Sequence, residues 1–393
     1  MIHIRHIEVA DASGLVRLTV HADKNGMSQD LWFEFSDQYR DWVVSDICDG
    51  ALLALFPYCV ANRIDIVSDV PASRDVLENI EALVSLLVQQ NPAEYCAISV
   101  RAPVSDKVFA SNRRAVLASG SCGVDSMHTL WAAEQAAYPV RPTHLIFNNS
   151  GSSLEGSDPE GLLRGRIAKS AAFAQSPEGG YGFIYANSNY SDFVDGMHYS
   201  LTNFYVNLAF GFLLANGVGQ YLVSSGYEPH KIVFHGDPAH AESILISYVN
   251  CTYFRVRHVA GDFCSRFNKV KHLLGYAPAQ HHLNVCFGHV DNCGVCGKCR
   301  RVLMELECLD AVESFSSVFD LEKYKKERDW VFERLIRDHL EGDPFVDEIW
   351  KLFSEKKLKP RHWILAYWMK TRVWVMGFAF TQYLNKVLRH RHG

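Results

Sequence analysis

Short runs of alternating apolar and polar residues open the chain. Ile2–Val9, Leu15–His21 and Leu31–Phe35 repeat with a period of two, which predicts half-buried strands. Between Ser73 and Gln89 the period lengthens, and Val76, Ile80, Leu83 and Leu87 fall on one helical face behind Ser73 as N-cap. From about Arg113 the rhythm changes again. Apolar strand runs at Ala115–Ala118, Thr143–Phe147, Phe183–Ala186 and Tyr221–Val223 are interleaved with helical stretches such as Met127–Ala137. That alternation implies right-handed crossovers and a parallel sheet covered on both faces. After Cys308 the pattern is helical, at Leu321–Leu340, Pro344–Glu355 and Arg361–Leu388, with Trp330, Trp350, Trp363, Trp368 and Trp374 supplying apolar faces. The expected fold is α/β: a doubly wound parallel sheet over 109–308, preceded by a small α+β module at 1–108 and followed by a helical extension at 309–393.

Composition narrows the classes. With 48% hydrophobic and 21% charged residues the chain is neither disordered nor collagen-like. Its 393 residues suit two or three domains at roughly 100–200 residues each. A net charge of −5 gives no basic excess for gripping a nucleic-acid backbone, which argues against a nucleic-acid partner. The opening MIHIRHIEVA lacks the pattern of a signal peptide, and Lys370 and Arg372 interrupt the apolar stretch Trp363–Tyr383, so neither export nor a membrane span is expected. Arg389, His390, Arg391 and His392 read as a solvated helix end. The expected location is the cytoplasm, where eleven cysteines are not a disulfide scaffold.

Ser119-Gly120-Ser121-Cys122-Gly123-Val124-Asp125-Ser126 falls between a strand and a helix. Small residues there let backbone N–H groups surround phosphate oxygens, and the following helix adds its positive end. Ser121 and Ser126 can donate hydroxyls, and Asp125 can help hold Mg²⁺. The loop carries no lysine, so it is not a Gly-Lys-Ser/Thr nucleotide loop. Cys122 reads either as a small residue in a tight turn or as a thiol activated by the helix N-terminus.

Cys286, Cys293, Cys296 and Cys299 have metal-ligand spacing. Four thiolates suit tetrahedral Zn²⁺ with no open position, and Gly294 and Gly297 suit the turns; an iron–sulfur cluster is the alternative. His235, Asp237, His240 and Glu242 read as polar turn residues. Arg164, Arg166 and Lys169 read as a solvated helix face, and Cys251, Cys264 and Cys308 as core fillers. Tyr185, Asn187 and Asn189, after a strand, could contact a nucleobase.

Ser121–Ser126 resembles the Ser-Gly-Gly-x-Asp-Ser loop of the PP-loop ATP pyrophosphatases, with Cys122 in place of the first glycine. The Cys cluster, with Asn292–Arg301 as its nearest stretch, is similar to that of the 7-cyano-7-deazaguanine synthases. Ser225, Gly226 and Tyr227 resemble that family's Ser-Gly-Tyr, and Asn268-Lys269 its Thr/Ser-Lys helix start. The likeness spans about Arg113–Cys308. It departs at Cys122, at Glu228-Pro229-His230-Lys231 where the family tends to read Pro-Asp-Cys-Arg, and in the two flanking extensions.

This resemblance implies an ATP-dependent, AMP-forming ligase. It would adenylate a carboxylate on a purine- or deazapurine-like substrate and couple it to a nitrogen nucleophile, with a protein amine docked by residues 1–108 as one acceptor. ATP would lie on Ser119, Gly120, Ser121, Gly123, Val124, Asp125 and Ser126. Asp125, Cys122 and Lys269 would be catalytic, Ser225, Gly226 and Tyr227 would contact substrate, and ATP, Mg²⁺ and Zn²⁺ would be required. A sulfur transferase using Cys122, a tRNA-modifying enzyme and a nucleotide-binding defence or sensor component are the rival classes.

Overall fold

The computed structural model describes residues 1–110, 115–137, 140–151, 158–224, 226, 228, 242–259, 264–340, 342–356 and 358. They group into two compact units, 1–284 and 285–393.

The first unit begins with a meander of β1 (Ile2–Ala12), β2 (Leu15–Lys24) and β3 (Met27–Ser36). Its two-residue turns, Ser13-Gly14 and Asn25-Gly26, hold all four residues at positive φ, the geometry that follows strand twist in tight hairpins. Then come α1 (Asp49–Asn62), β4 (Ile66–Ser68), β5 (Ala72–Ser73), α2 (Arg74–Gln90), β6 (Val100–Arg101) and β7 (Val104–Ser105). The alternating half follows: β8 (Ala115–Ser119), α3 (Val124–Gln135), β9 (His144–Asn149), α4 (Pro159–Gln175), β10 (Gly182–Ser188), the short α5 (Tyr190–Phe193), α6 (Asn203–Leu213) and β11 (Val218–Val223). The unit closes with α7 (Glu242–Leu245), β12 (Arg255–His258), α8 (Arg266–Leu273) and α9 (Ala277–His282).

Ten strands form one sheet in the order β12-β11-β8-β9-β10-β3-β2-β1-β4-β6. Pairing is parallel from β12 to β10, antiparallel through β3, β2 and β1, and parallel again from β1 to β6. The protein is therefore a mixed α/β fold on a large, mostly parallel sheet. The sequence suggests breaks at 108 and 308, whereas the sheet runs unbroken from β10 to β3 and the units divide after Asn284. The β10–β3 junction is fastened by side chains: Ser36 Oγ accepts from Tyr185 N at 3.0 Å, and Ser188 Oγ donates to Trp32 O at 2.7 Å.

The predicted strands and the Ser73–Gln89 helix all form, with Val76, Ile80, Leu83 and Leu87 buried. Among the unpredicted elements are α1 and α6. Every residue from Asp49 to Val60 is buried, so α1 has no polar face to reveal its period; a helix apolar all round belongs inside. Its one carboxylate, Asp49, is held by Ser73 N at 2.8 Å and the Tyr253 hydroxyl at 2.6 Å.

Residues 285–393 carry α10 (Gly297–Cys308), α11 (Leu321–Leu340) and α12 (Pro344–Glu355) around Leu303, Leu306, Phe332, Leu335, Ile349 and Phe353. Ion pairs Arg300–Asp338 and Arg301–Asp343 tie α10 to residues 338 and 343. The Arg361–Leu388 helix lies outside the described residues, among which no helix is long and apolar enough to cross a membrane.

Candidate functional site

The strand order reverses at β8, which lies between β11 and β9. At such a point crossovers leave in opposite directions and open a crevice at the carboxyl edge. The chain quits β8 at Ser119 and enters α3 at Val124, so residues 120–123 lie at the carboxyl end of β8. Gly120 is consumed by the fold: its N–H donates to Ile146 O at 2.8 Å and its carbonyl accepts from Ser170 Oγ at 2.5 Å. It positions the loop and is not a phosphate donor. Ser121 is exposed, and its hydroxyl meets Ser126 Oγ at 3.1 Å, while Ser126 Oγ donates to Gly123 O at 3.0 Å. The N–H groups of Val124, Asp125 and Ser126 open α3, where no intrahelical carbonyl reaches them. Gly123, the N-cap, has φ −74°, and a Cβ there would meet nothing nearer than Ser121 Oγ at 3.6 Å. Neither backbone nor packing demands glycine at 123.

Cys122, the departure from the resembled loop, stands where glycine would be the easier residue. Its φ is +56°, in the left-handed region that favours glycine. The side chain turns inward, 3% exposed, with Sγ 3.6 Å from Gly120 O and 3.9 Å from Ser170 Oγ. Burial pushes the thiol up to about 12, the opposite of the activation a helix N-terminus would give.

Asp125 and Lys269 meet. Lys269 Nζ lies 3.2 Å from Asp125 Oδ1, and Arg266 Nη1 lies 2.5 Å from Oδ2. Ser265 starts α8 by accepting from Asn268 N, which sets Arg266 and Lys269 one turn apart on the face toward α3. Burial would raise the Asp125 carboxyl, but the two cations outweigh it and hold the group well below the usual carboxylate range. Both carboxylate oxygens are thus engaged, so Asp125 does not offer the open magnesium ligand expected from the sequence. Arg266 escaped sequence reasoning; its signal was its position three residues before Lys269.

The remaining candidates are dispersed. Ser225 and Tyr227, with His235, Asp237 and His240, lie outside the described residues; Gly226 is exposed just past β11, and Glu242 opens α7. Asn187 bridges Asn149 and Glu34, and Asn189 accepts from Trp32 N and donates to Asp30 O, so both serve the sheet junction rather than a nucleobase. Arg164 pairs only loosely with Glu160, at 3.5 Å, on an exposed face. Cys251 and Cys308 are buried as core fillers, but Cys264 is half-buried with Sγ 3.8 Å from His128 Nε2.

The four-cysteine cluster forms in residues 285–393. All four Sγ atoms lie within 4.8 Å of one another, with Cys293–Cys299 at 4.0 Å and Cys286–Cys296 at 3.9 Å. Tetrahedral Zn²⁺ at the usual Zn–S length spaces its sulfurs about 3.8 Å apart, so the set fits one zinc ion and is too tight for a four-iron cluster. Gly294, at φ +78°, makes the turn between Cys293 and Cys296; Gly297 keeps negative φ and opens α10 instead. Thiol donors from Cys286 and Cys299 draw Cys296 far below its ordinary value. Asn292 braces the site, accepting from Val285 N at 2.8 Å and donating to Val318 O at 3.1 Å.

No protein-family model, curated protein or solved structure matches the chain.

Proposed function

We propose that the chain is an ATP-dependent, AMP-forming enzyme, a divergent relative of the PP-loop pyrophosphatases and of the 7-cyano-7-deazaguanine synthases. The parallel strands β10-β9-β8-β11-β12, in that order, support a doubly wound core of this type. One observation carries the reading: Asp125, in the first turn of α3 after the small-residue loop, holds Lys269 and Arg266 beside it.

In this reading ATP arrives as its magnesium complex, with its phosphates against the N–H groups of Val124, Asp125 and Ser126 and the hydroxyl of Ser121. A substrate carboxylate oxygen attacks the α-phosphorus, the α–β phosphoanhydride bond breaks, and pyrophosphate leaves with the electron pair. Lys269 and Arg266 stabilise the charge that develops on pyrophosphate, and Asp125 keeps both cations in place. An amine then attacks the acyl carbonyl, loses a proton, and AMP departs. The zinc centre has four protein ligands and no position for substrate, so its role is structural. The inward, protonated Cys122 favours nitrogen over sulfur as nucleophile.

Gly123→Ala tests the phosphate cradle. The fold loses under about 1 kcal/mol, while the new methyl occupies the ligand's approach. ATP affinity by calorimetry should fall tenfold or more with melting nearly unchanged. Wild-type protein that binds no ATP, or a variant that binds it as well as wild type, contradicts the reading.

A further inference from the structure

Helices α3 and α8 are matched turn by turn. Asp125, His128 and Trp131 recur every three residues on α3, and Arg266, Lys269 and His272 do so on α8. The first turns meet in the ion triad. The next turns bring His128 Nε2 to 3.0 Å from His272 Nδ1, and Cys264, just before α8, adds its sulfur 3.8 Å from His128 Nε2. The three ligand atoms all lie within 4.8 Å of one another. His128 is 0% exposed, and the Trp131 ring stacks on His272 at 4.4 Å between centroids and 17° between planes, which fixes the imidazole's orientation.

Two imidazole nitrogens and one sulfur on tetrahedral Zn²⁺ stand about 3.3 Å (N–N) and 3.6 Å (S–N) apart by the usual bond lengths. The geometry points to a second divalent-metal site at His128, Cys264 and His272, of the zinc class, with three protein ligands and one open coordination position. Hard cations are poorly served because no oxygen donor belongs to the set. The open position would take solvent or one further nitrogen or sulfur donor. This site stands one helical turn from Asp125, and metal binding there is independent of ATP.

Full-length wild-type, Cys264→Ala and His272→Phe proteins, each dialysed against micromolar free Zn²⁺, would have zinc per chain counted by plasma mass spectrometry. His272→Phe keeps a ring on Trp131; Cys264→Ala, at a half-buried position, covers the case in which the ring change disturbs folding. Each folded variant should hold one equivalent fewer than wild type, whatever the four-cysteine centre retains. Co²⁺ substitution should likewise show loss of one sulfur-ligated tetrahedral spectrum. Zinc content equal to wild type in Cys264→Ala would overturn the site.

Discussion

Lys269 and Asp125, 144 positions apart in sequence, meet with Nζ 3.2 Å from Oδ1, and the lysine is 1% exposed. A buried ammonium without its carboxylate is costly, so the pair couples the integrity of α8 to the start of α3.

Removing the carboxylate should therefore hurt the fold as well as any chemistry. Asp125→Ala should cost about 2–3 kcal/mol, less than a fully buried pair because the Asp125 side chain keeps 41% exposure. Lys269→Met, which removes the cation, should restore part of that loss in the double variant. Urea denaturation of the four proteins measures the coupling; strictly additive losses would mean that the two groups do not interact.

Cys122→Gly should keep the loop working. Glycine relieves roughly 1 kcal/mol of left-handed strain, while losing the buried thiol costs a similar amount, so the melting temperature should move by only a few degrees. Pyrophosphate release should survive. A dead variant that still binds ATP normally would instead support sulfur transfer through this thiol.

Alkali should weaken the protein. Cys48, Cys59, Cys122, Cys251 and Cys308 are each pushed by burial from 9.0 to about 12. Between those values the unfolded chain has lost the protons that the folded chain keeps, so stability is intact below pH 9 and falls as pH rises toward 12. Each such thiol contributes a slope of about 1.4 kcal/mol per pH unit. Denaturation midpoints followed upward from pH 8 check this, and Cys122→Ala should shallow the decline. A flat profile would contradict it.

Cys296→Ser should lose the zinc of the four-cysteine centre and destabilise residues 285–393, since metal binding and folding are coupled there. Zinc counting together with thermal melting gives the answer. Unchanged metal content and melting would remove the structural role.

Much of this arrangement is legible before any coordinates. Alternation finds β1 to β3. The four cysteines announce a candidate metal site because spacing over fourteen residues is itself geometry. What stays hidden is contact across long stretches of chain. The joining of β3 to β10 depends on Ser36, Trp32 and Ser188, which look like ordinary strand residues in one dimension. Arg266, His128, Cys264 and His272 are equally unremarkable until α3 and α8 lie together. Cys122 is the converse case: the thiol beside a helix start suggests reactivity, and only its inward direction shows the opposite.

The most direct measurement is a crystal structure with a non-hydrolysable α,β-methylene ATP analogue. The expected result is a triphosphate against Val124, Asp125 and Ser126, close over Gly123, with Lys269 and Arg266 beside the β- and γ-phosphates. A nucleotide seated elsewhere, or none at millimolar analogue, would contradict the phosphate-loop account.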